Sequence, residues 1–418
     1  MKIIADLHIH SKYSRATSRE MDVPNIVRWA KHKGIGLMAT GDFTHPLWLQ
    51  ELKRYLKPVG YGFYEYAGVN FFLNVEVCNI YNKNGRTRRI HNLIFAPGFD
   101  VVDRINLKIS RYGNLFSDGR PILSLDSEDL VKIVLDISED CMIIPAHAWT
   151  PHFSVFGSNS GFNSLEECFG EERRNVHSIE TGLSSDPKMN WRLSGLDEIT
   201  LISNSDAHSP GNLGREVNVF NIDSSLVKTD LYREVMRIIK TKDKNKFLYT
   251  VEFFPEEGKY HFDGHRVCNV GLHPKESISN KDFCKKCGRK LTIGVLHRIE
   301  ELADRDEDFI PENSIGYKNI IPLAEIIAEA LNLGRGTISV EREYLDMVNR
   351  IGPEFDIMIN ISEQELLRKI QPKIAEGIIK TRRGEVRIEP GYDGVYGKIS
   401  IDWAEKETDR VQEQLVLL

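Results

Sequence analysis

Two short apolar segments that each end in metal-ligand residues most strongly constrain how this chain can fold. Residues Lys2 to Asp6 form the first segment, and His8-Ile9-His10 follows it. Side chains of a strand alternate between two faces, so these two imidazoles point to the same side. The second segment, Ile199 to Ile202, leads to Asp206-Ala207-His208. Two strands that both end in such ligand pairs indicate one metal site at one rim of a barrel.

Composition describes a globular protein and excludes few functions. The 418 residues are enough for two or three domains, and 41% of them are hydrophobic. The net charge of −6 gives no support to nucleic-acid binding, although local basic patches matter more than the sum. No apolar run approaches the roughly 20 residues of a membrane span, and the chain opens on a strand rather than a signal peptide. Of the six cysteines, Cys78, Cys141 and Cys168 are scattered in apolar contexts. Because no disulfide framework emerges, we expect a cytoplasmic protein.

Apolar segments alternate with amphipathic ones through about residue 225. The predicted strands are Lys2–Asp6, Gly36–Gly41, Asn70–Val77, Ile90–Ala96, Cys141–Pro145, Val176–Thr181, Ile199–Asn204 and Val217–Ile222. Asp22–Lys33 is a predicted helix, with Asp22 as its N-cap and Pro24 in its first turn. This alternation predicts an α/β fold with a parallel sheet or barrel, whose chemistry lies at the carboxyl ends of the strands.

The pattern changes after about residue 247. Between Leu248 and Glu300 the periodicity fades and His, Cys and Gly concentrate. Further on, Tyr317–Leu331 and Ser362–Ile379 read as amphipathic helices, Arg383–Arg387 with Asp393–Ile399 as a small β element, and Asp402–Leu418 as a charged helix or tail. We therefore predict a barrel over residues 1–246, a metal-binding module over 247–300 and a mostly helical, DNA-binding C-terminal domain over 301–418.

Several imidazoles and carboxylates lie at predicted strand ends. They are His8, His10, Asp42, Glu76, His91, His147, Asp206 and His208. Glu76 lies within an apolar strand, where a carboxylate is costly to bury unless it is paired or metal-bound. Mixed imidazole and carboxylate ligands favour Zn²⁺, Mn²⁺ or Fe²⁺, with Mg²⁺ as a further candidate. Eight ligands exceed one tetrahedral ion, so we expect two or three catalytic ions, a set that commonly hydrolyses phosphate esters.

The order of these ligands resembles that of the PHP (polymerase and histidinol phosphatase) domain. The resemblance implies a distorted (β/α)7 barrel with a trinuclear metal centre and phosphoesterase activity. It implies that Glu76 bridges two ions, that His8, His10 and Asp206 hold one of them, and that His91 and His147 hold the other. Two motifs depart from the family: Gly41-Asp42-Phe43 replaces the usual Asp-His, and Ser14-Arg15 replaces a further His. For the third ion we expect Asp42 and His208, with His45 as a weaker candidate.

A second metal motif lies in the middle of the chain. His265-Arg266-Val267-Cys268 and Cys284-Lys285-Lys286-Cys287-Gly288 form two knuckles of zinc-module spacing. Three thiolates and one imidazole make a closed tetrahedral site, which predicts one structural Zn²⁺ at His265, Cys268, Cys284 and Cys287. His261 and His273 compete with His265 for the fourth place. A redox Cys-x-x-Cys is the alternative, disfavoured because no βαβ context surrounds it.

Basic and aromatic side chains near both motifs are candidate DNA contacts. Arg88 lies in a basic run just before His91, and Lys285 and Lys286 lie within the second knuckle. Each could contact a phosphate backbone or belong to an ordinary solvated face. Trp149 and Phe153 follow His147 and could stack on an extruded base. The alternative is a hydrophobic loop that closes the barrel.

A PHP barrel, a Cys3His zinc module and a helical C-terminal region, in that order, resemble the endonuclease Q family. The residues that carry this resemblance are Asp6 to Ser11, Ile179 to Asp186, Ser205 to His208, Lys259 to His265 and Cys284 to Arg305. The resemblance implies a repair endonuclease that recognises uracil, hypoxanthine, xanthine or abasic sites in DNA and cuts 5′ of the lesion.

For this activity we expect Asp206, His8 and Glu76 as catalytic residues, with Arg15 or Arg88 neutralising the developing charge. A histidinol-phosphatase-like enzyme acting on small molecules is the alternative, and a DNA-binding scaffold with a degenerate barrel is a non-enzymatic one.

The final peptide, Gln414-Leu415-Val416-Leu417-Leu418, is apolar after a charged run. It resembles the short peptide by which bacterial repair proteins bind the β sliding clamp, although that peptide usually ends in Leu-Phe. A clamp is therefore a candidate partner. The alternative is that these residues pack against the C-terminal domain.

Overall fold

The structure is a computed structural model that describes residues 1–403. Its strands are β1 (Lys2–Asp6), β2 (Leu37–Ala39), β3 (Lys57–Gly60), β4 (Phe63–Tyr66), β5 (Val69–Lys83), β6 (Arg86–Ala96), β7 (Ile122–Leu123), β8 (Met142–Pro145), β9 (Ser178–Glu180), β10 (Thr200–Ile202), β11 (Val217–Asn221), β12 (Phe247–Glu252), β13 (Asp263–His265), β14 (Val270–Leu272), β15 (Gly316–Asn319), β16 (Val386–Glu389) and β17 (Lys398–Ile401). Its α-helices are α1 (Val23–Lys33), α2 (Pro46–Tyr55), α3 (Phe99–Ile109), α4 (Ser127–Ile137), α5 (Leu165–Phe169), α6 (Pro187–Asn190), α7 (Leu231–Thr241), α8 (Pro274–Ser279), α9 (Val295–Leu302), α10 (Leu323–Leu331), α11 (Ile338–Arg350), α12 (Glu363–Lys369) and α13 (Pro372–Arg382).

The main sheet is centred on β1, which pairs with β2 on one side and β11 on the other. Within the described residues it has eleven strands. Eight follow the order β15-β12-β11-β1-β2-β5-β4-β3, β6 and β7 both pair with β5, and β8 pairs with β6. Ala148 N donates to the Glu180 carbonyl at 2.9 Å, which joins the end of β8 to the parallel pair β9–β10. Ser203 N donates to Asn218 Oδ1 at 3.0 Å and joins that pair to β11. This closed arrangement confirms the predicted α/β barrel class.

Antiparallel pairing in the middle of the barrel differs from the expected all-parallel sheet. β5 and β6 pair antiparallel along eleven positions, and Asn84-Gly85 connects them. Both turn residues have positive φ, 55° and 72°. That geometry matches a type I′ hairpin turn, which favours Asn-Gly. The sequence predicted only the inner, apolar halves of these strands, because their outer halves are polar.

Apolar side chains of the strands fill the barrel, and polar ones begin where the strands end. Ile3, Ala5 and Leu7 from the β1 segment are buried together with Phe72 and Phe95. Burying each of the larger side chains, such as Leu7 or Phe72, contributes about 1.5–3 kcal/mol. Directly after this apolar layer, His8 and His10 are also buried, which places the predicted ligands at one end of the core.

The chain divides into two compact units. The first comprises residues 1–320 and 390–397, and the second comprises 321–389 with the described residues from 398 on. In the second unit, the buried Glu354 accepts hydrogen bonds from Leu323 N at 3.0 Å and from the Tyr344 hydroxyl at 2.8 Å, which ties α10 to α11. The three-part division at 246/247 and 300/301 stays a prediction.

The predicted C-terminal helices needed two corrections. Residues 316–319 form β15, which pairs with β12, so the first helix starts only at Leu323. The predicted helix over Ser362–Ile379 is divided into α12 and α13 at Pro372. Proline has no backbone N–H and clashes with the preceding turn, so it begins a helix more readily than it continues one.

No helix among residues 1–403 is long and apolar enough to cross a membrane. Residues 404–418, which include the candidate clamp peptide Gln414–Leu418, lie outside the described residues.

Candidate metal centre

The two strand-end motifs, His8-Ile9-His10 and Asp206-Ala207-His208, lie side by side. Ile9 and Ala207 form a parallel bridge, and His10 N donates to the Ala207 carbonyl at 3.1 Å. This pairing places His8 and His10 beside Asp206. His10 Nε2 is 3.1 Å from Asp206 Oδ1, and His8 Nε2 is 3.6 Å from the same oxygen.

Glu76 joins this group to a second one. Its Oε2 is 3.2 Å from His10 Nε2, so His8, His10, Glu76 and Asp206 converge with ligand atoms within 4.8 Å of one another. Its Oε1 is 2.6 Å from His91 Nδ1 and 2.9 Å from His147 Nε2, which makes the second group. One carboxylate oxygen therefore faces each group, as a bridging ligand requires.

Three atoms of the first group have the environment expected of metal ligands. His8 Nε2, His10 Nε2 and Asp206 Oδ1 are buried and make no hydrogen bond. Unsatisfied buried polar atoms cost about 1–3 kcal/mol each, so their convergence calls for a partner. Imidazole nitrogens and carboxylate oxygens are the donors that Zn²⁺, Mn²⁺ and Fe²⁺ share. The residues present therefore fit divalent cations.

Two buried carboxylates orient the ligand imidazoles from behind. Glu180 accepts from His8 Nδ1 at 3.0 Å and from the backbone N–H of His147 at 2.8 Å. Asp42 accepts from His10 Nδ1 at 3.0 Å. A hydrogen bond to the far ring nitrogen fixes the tautomer and aims the other nitrogen at the metal.

Asp42 and His208, the residues predicted for a third ion, lie outside both groups. Ser11 N and Ser11 Oγ each donate to Asp42 Oδ2 at 2.6 Å, and Ser14 Oγ donates to it at 2.9 Å. His208 Nδ1 donates to the Asp206 carbonyl at 2.8 Å, and its ring lies 4.5 Å from that of His10. The third-ion assignment, including the weaker candidate His45, stays a prediction.

Backbone strain accumulates at the same positions. Asp42, His147 and Asp206 have φ values of 50°, 30° and 46°. Non-glycine residues in the left-handed region cost of order 1–3 kcal/mol and cluster at functional sites. The fold thus keeps these three side chains in place against their backbone preference.

Arg120 supplies the positive charge next to Glu76. Its Nη1 lies 3.0 Å from Glu76 Oε2, and its side chain is 26% exposed. Burial alone would raise the pKa of Glu76, but His91 and the Arg120 guanidinium hold that pKa well below its usual range. Glu76 is therefore an anion at neutral pH, which is the form that binds metal.

The two arginines predicted to neutralise charge differ in their contacts and exposure. The Arg15 side chain is 84% exposed and lies 3.7 Å from Asp118. Arg88 is buried, donates to the Gly161 carbonyl and stacks on the Phe162 ring at 4.0 Å. Arg88 thus supports the loop that ends near Phe162. Because its side chain is buried, it is not exposed for the DNA contact predicted for it.

The two aromatic candidates have different environments. Trp149 is 1% exposed, and its Nε1–H donates to Asn190 at 2.7 Å, so no base can stack on it. Phe153 is half-buried at 5.0 Å from the His91 ring and has φ of 61°. The buried position of Trp149 agrees with the alternative interpretation, a hydrophobic loop that closes the barrel. Phe153 stays a candidate DNA contact.

The predicted zinc ligands also converge. His265, Cys268, Cys284 and Cys287 place their ligand atoms within 4.8 Å of one another, and Cys287 Sγ is 3.4 Å from His265 Nδ1. Desolvation alone would raise the pKa of Cys284, but backbone N–H groups of the second knuckle lower it to about 6. The thiolate is the metal-binding form, so this set fits a divalent metal.

Lys285 and Lys286 are exposed on the second knuckle. Lys286 Nζ donates to the Cys268 carbonyl at 2.9 Å, which joins the two knuckles, and Lys285 lies 3.8 Å from Glu276. Their DNA-binding role stays a prediction.

Sequence reasoning missed Glu180 and Arg120 as site residues. Glu180 carries a signal similar to that of Glu76, a carboxylate in an apolar strand, and it lies at the end of β9. Arg120 carries no such signal, because it lies in a polar loop after α3 and reaches Glu76 only through the tertiary fold.

Comparison with known proteins identifies the family. The family model described as the MJ0043 C-terminal domain matches residues 322–385. Protein MJ0043 of Methanocaldococcus jannaschii is 33% identical over 62% of this chain, which spans only 33% of MJ0043. The crystal structure of the lesion-specific endonuclease PfuEndoQ from Pyrococcus furiosus matches with a TM-score of 0.85 and 32% identity, over 99% of both chains. An Endonuclease Q complex with a 27-mer duplex carrying an abasic lesion at the active site matches with a TM-score of 0.83 and 32% identity, over 98% of this chain and all of that one. This chain belongs to the endonuclease Q family.

Proposed function

We propose that this protein is a metal-dependent DNA repair endonuclease that cuts the phosphodiester on the 5′ side of a damaged nucleotide. The observation that carries the proposal is the match along 99% of both chains to a lesion-specific endonuclease. The duplex with an abasic lesion in a second structure of the family supports abasic DNA as one substrate. Uracil, hypoxanthine and xanthine are the proposed base lesions.

Two ligand groups would hold the catalytic ions. His8, His10, Glu76 and Asp206 form the first, and His91 and His147 share Glu76 in the second. Zn²⁺, Mn²⁺ or Fe²⁺ suits this donor set, and Mg²⁺ is a further candidate. Closely spaced divalent ions lower the pKa of water and neutralise charge on the attacking and leaving oxygens of a phosphodiester.

The chain's own residues prepare this chemistry. Glu180 and Asp42 hold the imidazoles of His8 and His10 in one orientation. We assign Asp42 to this orienting role because serine donors already occupy its second oxygen, and we keep His208 as the candidate for a third ion. Arg120, part exposed beside Glu76, is placed to neutralise charge that develops on the phosphate.

The zinc module would hold side chains that contact DNA on a small, metal-stabilised segment. One structural Zn²⁺ at His265, Cys268, Cys284 and Cys287 would hold a segment whose small apolar cluster has Val270, Cys284 and Leu291 as its buried residues. We assign DNA-backbone contacts to Arg15, Lys285 and Lys286, and a base contact to Phe153.

One assay decides among the candidate functions. The metal-loaded protein is offered a uracil-containing duplex, an abasic duplex, an undamaged duplex and a phosphate monoester. Nicking of the damaged duplexes alone is expected. Hydrolysis of the monoester alone would identify a small-molecule phosphatase, and binding without any hydrolysis would identify a scaffold.

A further inference from the structure

A cavity of about 670 Å³ lies at the end of the barrel opposite to the metal centre. Its lining includes Cys141 and Met142, where β8 begins, and His177, which directly precedes β9. The same two strands lead to His147 and Glu180 at the metal centre, and the three residues of β9 span about 10 Å. Small-molecule sites in proteins typically have volumes of about 300–1,000 Å³, so this cavity has the size of a ligand site.

Two helices that line the cavity contribute different charges. On α7, Arg233, Arg237 and Lys240 are spaced four and three positions apart, which places them on one face of the helix. Asp136 near the end of α4 and Glu139 just after it contribute carboxylates. The cavity therefore offers both cationic and anionic groups to a ligand.

Partners within the protein already compensate part of this charge. The ion pairs are Arg233 with Asp140 at 3.6 Å, Arg237 with Glu234 at 2.8 Å and Lys132 with Glu128 at 3.4 Å. Glu172 accepts a hydrogen bond from Asn175 Nδ2 at 2.6 Å. These groups are fixed by their neighbours and leave little for a ligand.

Four charged groups of the lining have no such partner. Within residues 1–403, no ion pair or side-chain hydrogen bond involves Arg174, Lys240, Asp136 or Glu139. The residue before Arg174 differs, because Arg173 lies 3.1 Å from Glu166 and donates to the Val176 carbonyl at 2.9 Å. Two cations and two anions thus line one cavity without neutralising each other.

His177 adds a neutral donor to the cationic groups. Burial, together with the nearby Lys240 and Arg173, lowers the pKa of this imidazole, so the ring is neutral at neutral pH. A neutral imidazole has one N–H donor. Arg174, Lys240 and His177 therefore present hydrogen-bond donors suited to an anion.

We propose that this cavity binds a nucleoside monophosphate, with its phosphate on Arg174, Lys240 and His177. Guanidinium and ammonium groups are common phosphate ligands. A bare phosphate would leave Asp136 and Glu139 without donors, whereas ribose hydroxyls can donate to these carboxylates.

Apolar side chains of the lining suit the base of such a ligand. Met142, Met236 and Leu135 line the same cavity. The thioether of methionine is polarisable and packs favourably against aromatic rings. The inference concerns a second site on the barrel and does not depend on the proposed nuclease function.

Calorimetric titration of the full-length, metal-loaded protein with adenosine 5′-monophosphate tests the proposal. Saturable binding of one ligand per chain is expected. Ribose 5-phosphate should bind more weakly because it lacks the base. Inorganic phosphate and adenosine should bind more weakly still, since each engages only one set of charged groups. Inorganic phosphate that binds as tightly as the nucleotide would overturn the nucleotide assignment, and no binding of the nucleotide would overturn the site.

Substitutions of exposed side chains locate the site. Arg174→Gln should weaken nucleotide binding at least about tenfold, because it removes a charge-assisted hydrogen bond. Asp136→Asn should weaken binding of the nucleotide and leave binding of inorganic phosphate intact. The matched control is Arg28→Gln, which changes an exposed arginine on α1 outside the cavity and should have no effect. Unchanged nucleotide affinity in Arg174→Gln would overturn the proposal.

Asp206→Asn separates this cavity from the metal centre, where divalent ions also attract phosphate groups. Nucleotide affinity should be the same in this variant as in the wild type, because Asp206 lies at the other end of the barrel. Binding that is lost in Asp206→Asn and retained in Arg174→Gln would place the nucleotide at the metal centre and contradict the proposal.

Discussion

Replacing Glu180 with Gln should weaken metal binding while leaving the barrel folded. Glu180 is fully buried, and both of its oxygens accept hydrogen bonds. Oε1 accepts from His8 Nδ1 at 3.0 Å and Asn204 Nδ2 at 2.9 Å, and Oε2 accepts from His8 Nδ1 at 3.0 Å and His147 N at 2.8 Å. A glutamine has one oxygen and one NH₂ group, so in either orientation its NH₂ meets a donor.

The expected loss of metal affinity follows from this hydrogen-bond mismatch. A buried donor without an acceptor costs about 1–3 kcal/mol. His8 can relieve the mismatch by moving its proton from Nδ1 to Nε2, but Nε2 is the nitrogen that faces Asp206. A protonated Nε2 has no lone pair for a metal. Loss of such an orienting partner typically weakens metal affinity about 10–100-fold, which corresponds to about 1.4–2.8 kcal/mol.

Calorimetric titration of metal-free protein with Mn²⁺ measures this change. The matched control is Glu172→Gln, another buried glutamate, which accepts from Asn175 Nδ2 at 2.6 Å and lies outside both ligand groups. Circular dichroism should show the same secondary structure for both variants. Equal Mn²⁺ affinity in the wild type and Glu180→Gln would refute the orienting role of this carboxylate.

Three further predictions concern the rest of the chain. Cys284→Ser should release the structural zinc, loosen residues 250–300 and weaken DNA binding more than it affects the catalytic metals; an unchanged zinc content by elemental analysis would contradict this. Burial raises the pKa of Glu252 to about 8, so the stability linked to this proton is fully present below the unfolded-state pKa of about 4.5 and is lost as the pH rises through about 8. Glu252→Gln should therefore raise the thermal unfolding midpoint at pH 8 relative to the wild type and have little effect at pH 5, and a midpoint difference that does not vary with pH would count against it. Deleting Gln414–Leu418 should leave nicking of a short duplex unchanged and remove association with a sliding clamp; a deletion variant that still co-elutes with the clamp, or one that unfolds, would exclude this role.

Ligands at the ends of apolar strands could be predicted from the sequence. His8 and Asp206 follow apolar runs, and Glu76 interrupts one. A position at the end of a strand is sufficient to bring groups such as His8 and Asp206 to one rim of the barrel. The zinc ligands are predictable for a similar reason, because the spacing within each knuckle is local. The endonuclease assignment came from a family resemblance rather than from these local rules.

Features that depend on tertiary packing were not predictable. Arg120 reaches Glu76 because the preceding Gly119 packs closely on Asp42: an added Cβ there would lie 2.3 Å from Asp42 Oδ2. No periodicity in the loop encodes that approach. Trp149 and Phe153 lie four positions apart in one aromatic loop, yet one is buried and the other half-buried, since long-range contacts such as Trp149 with Asn190 decide the orientation. Composition alone does not distinguish the buried aromatic residue from the half-buried one.

The most direct test of the account is lesion nicking by Asp206→Asn. Asn keeps the shape of the side chain but removes the charge from the oxygen that faces His8 and His10. With saturating metal-loaded protein and a duplex carrying one abasic site, the wild type should cut on the 5′ side of the lesion. The variant should bind the same duplex, keep its secondary structure and leave the strand intact. Wild-type nicking by Asp206→Asn, in this assay and again when metal is limiting, would show that this centre is not the catalytic site.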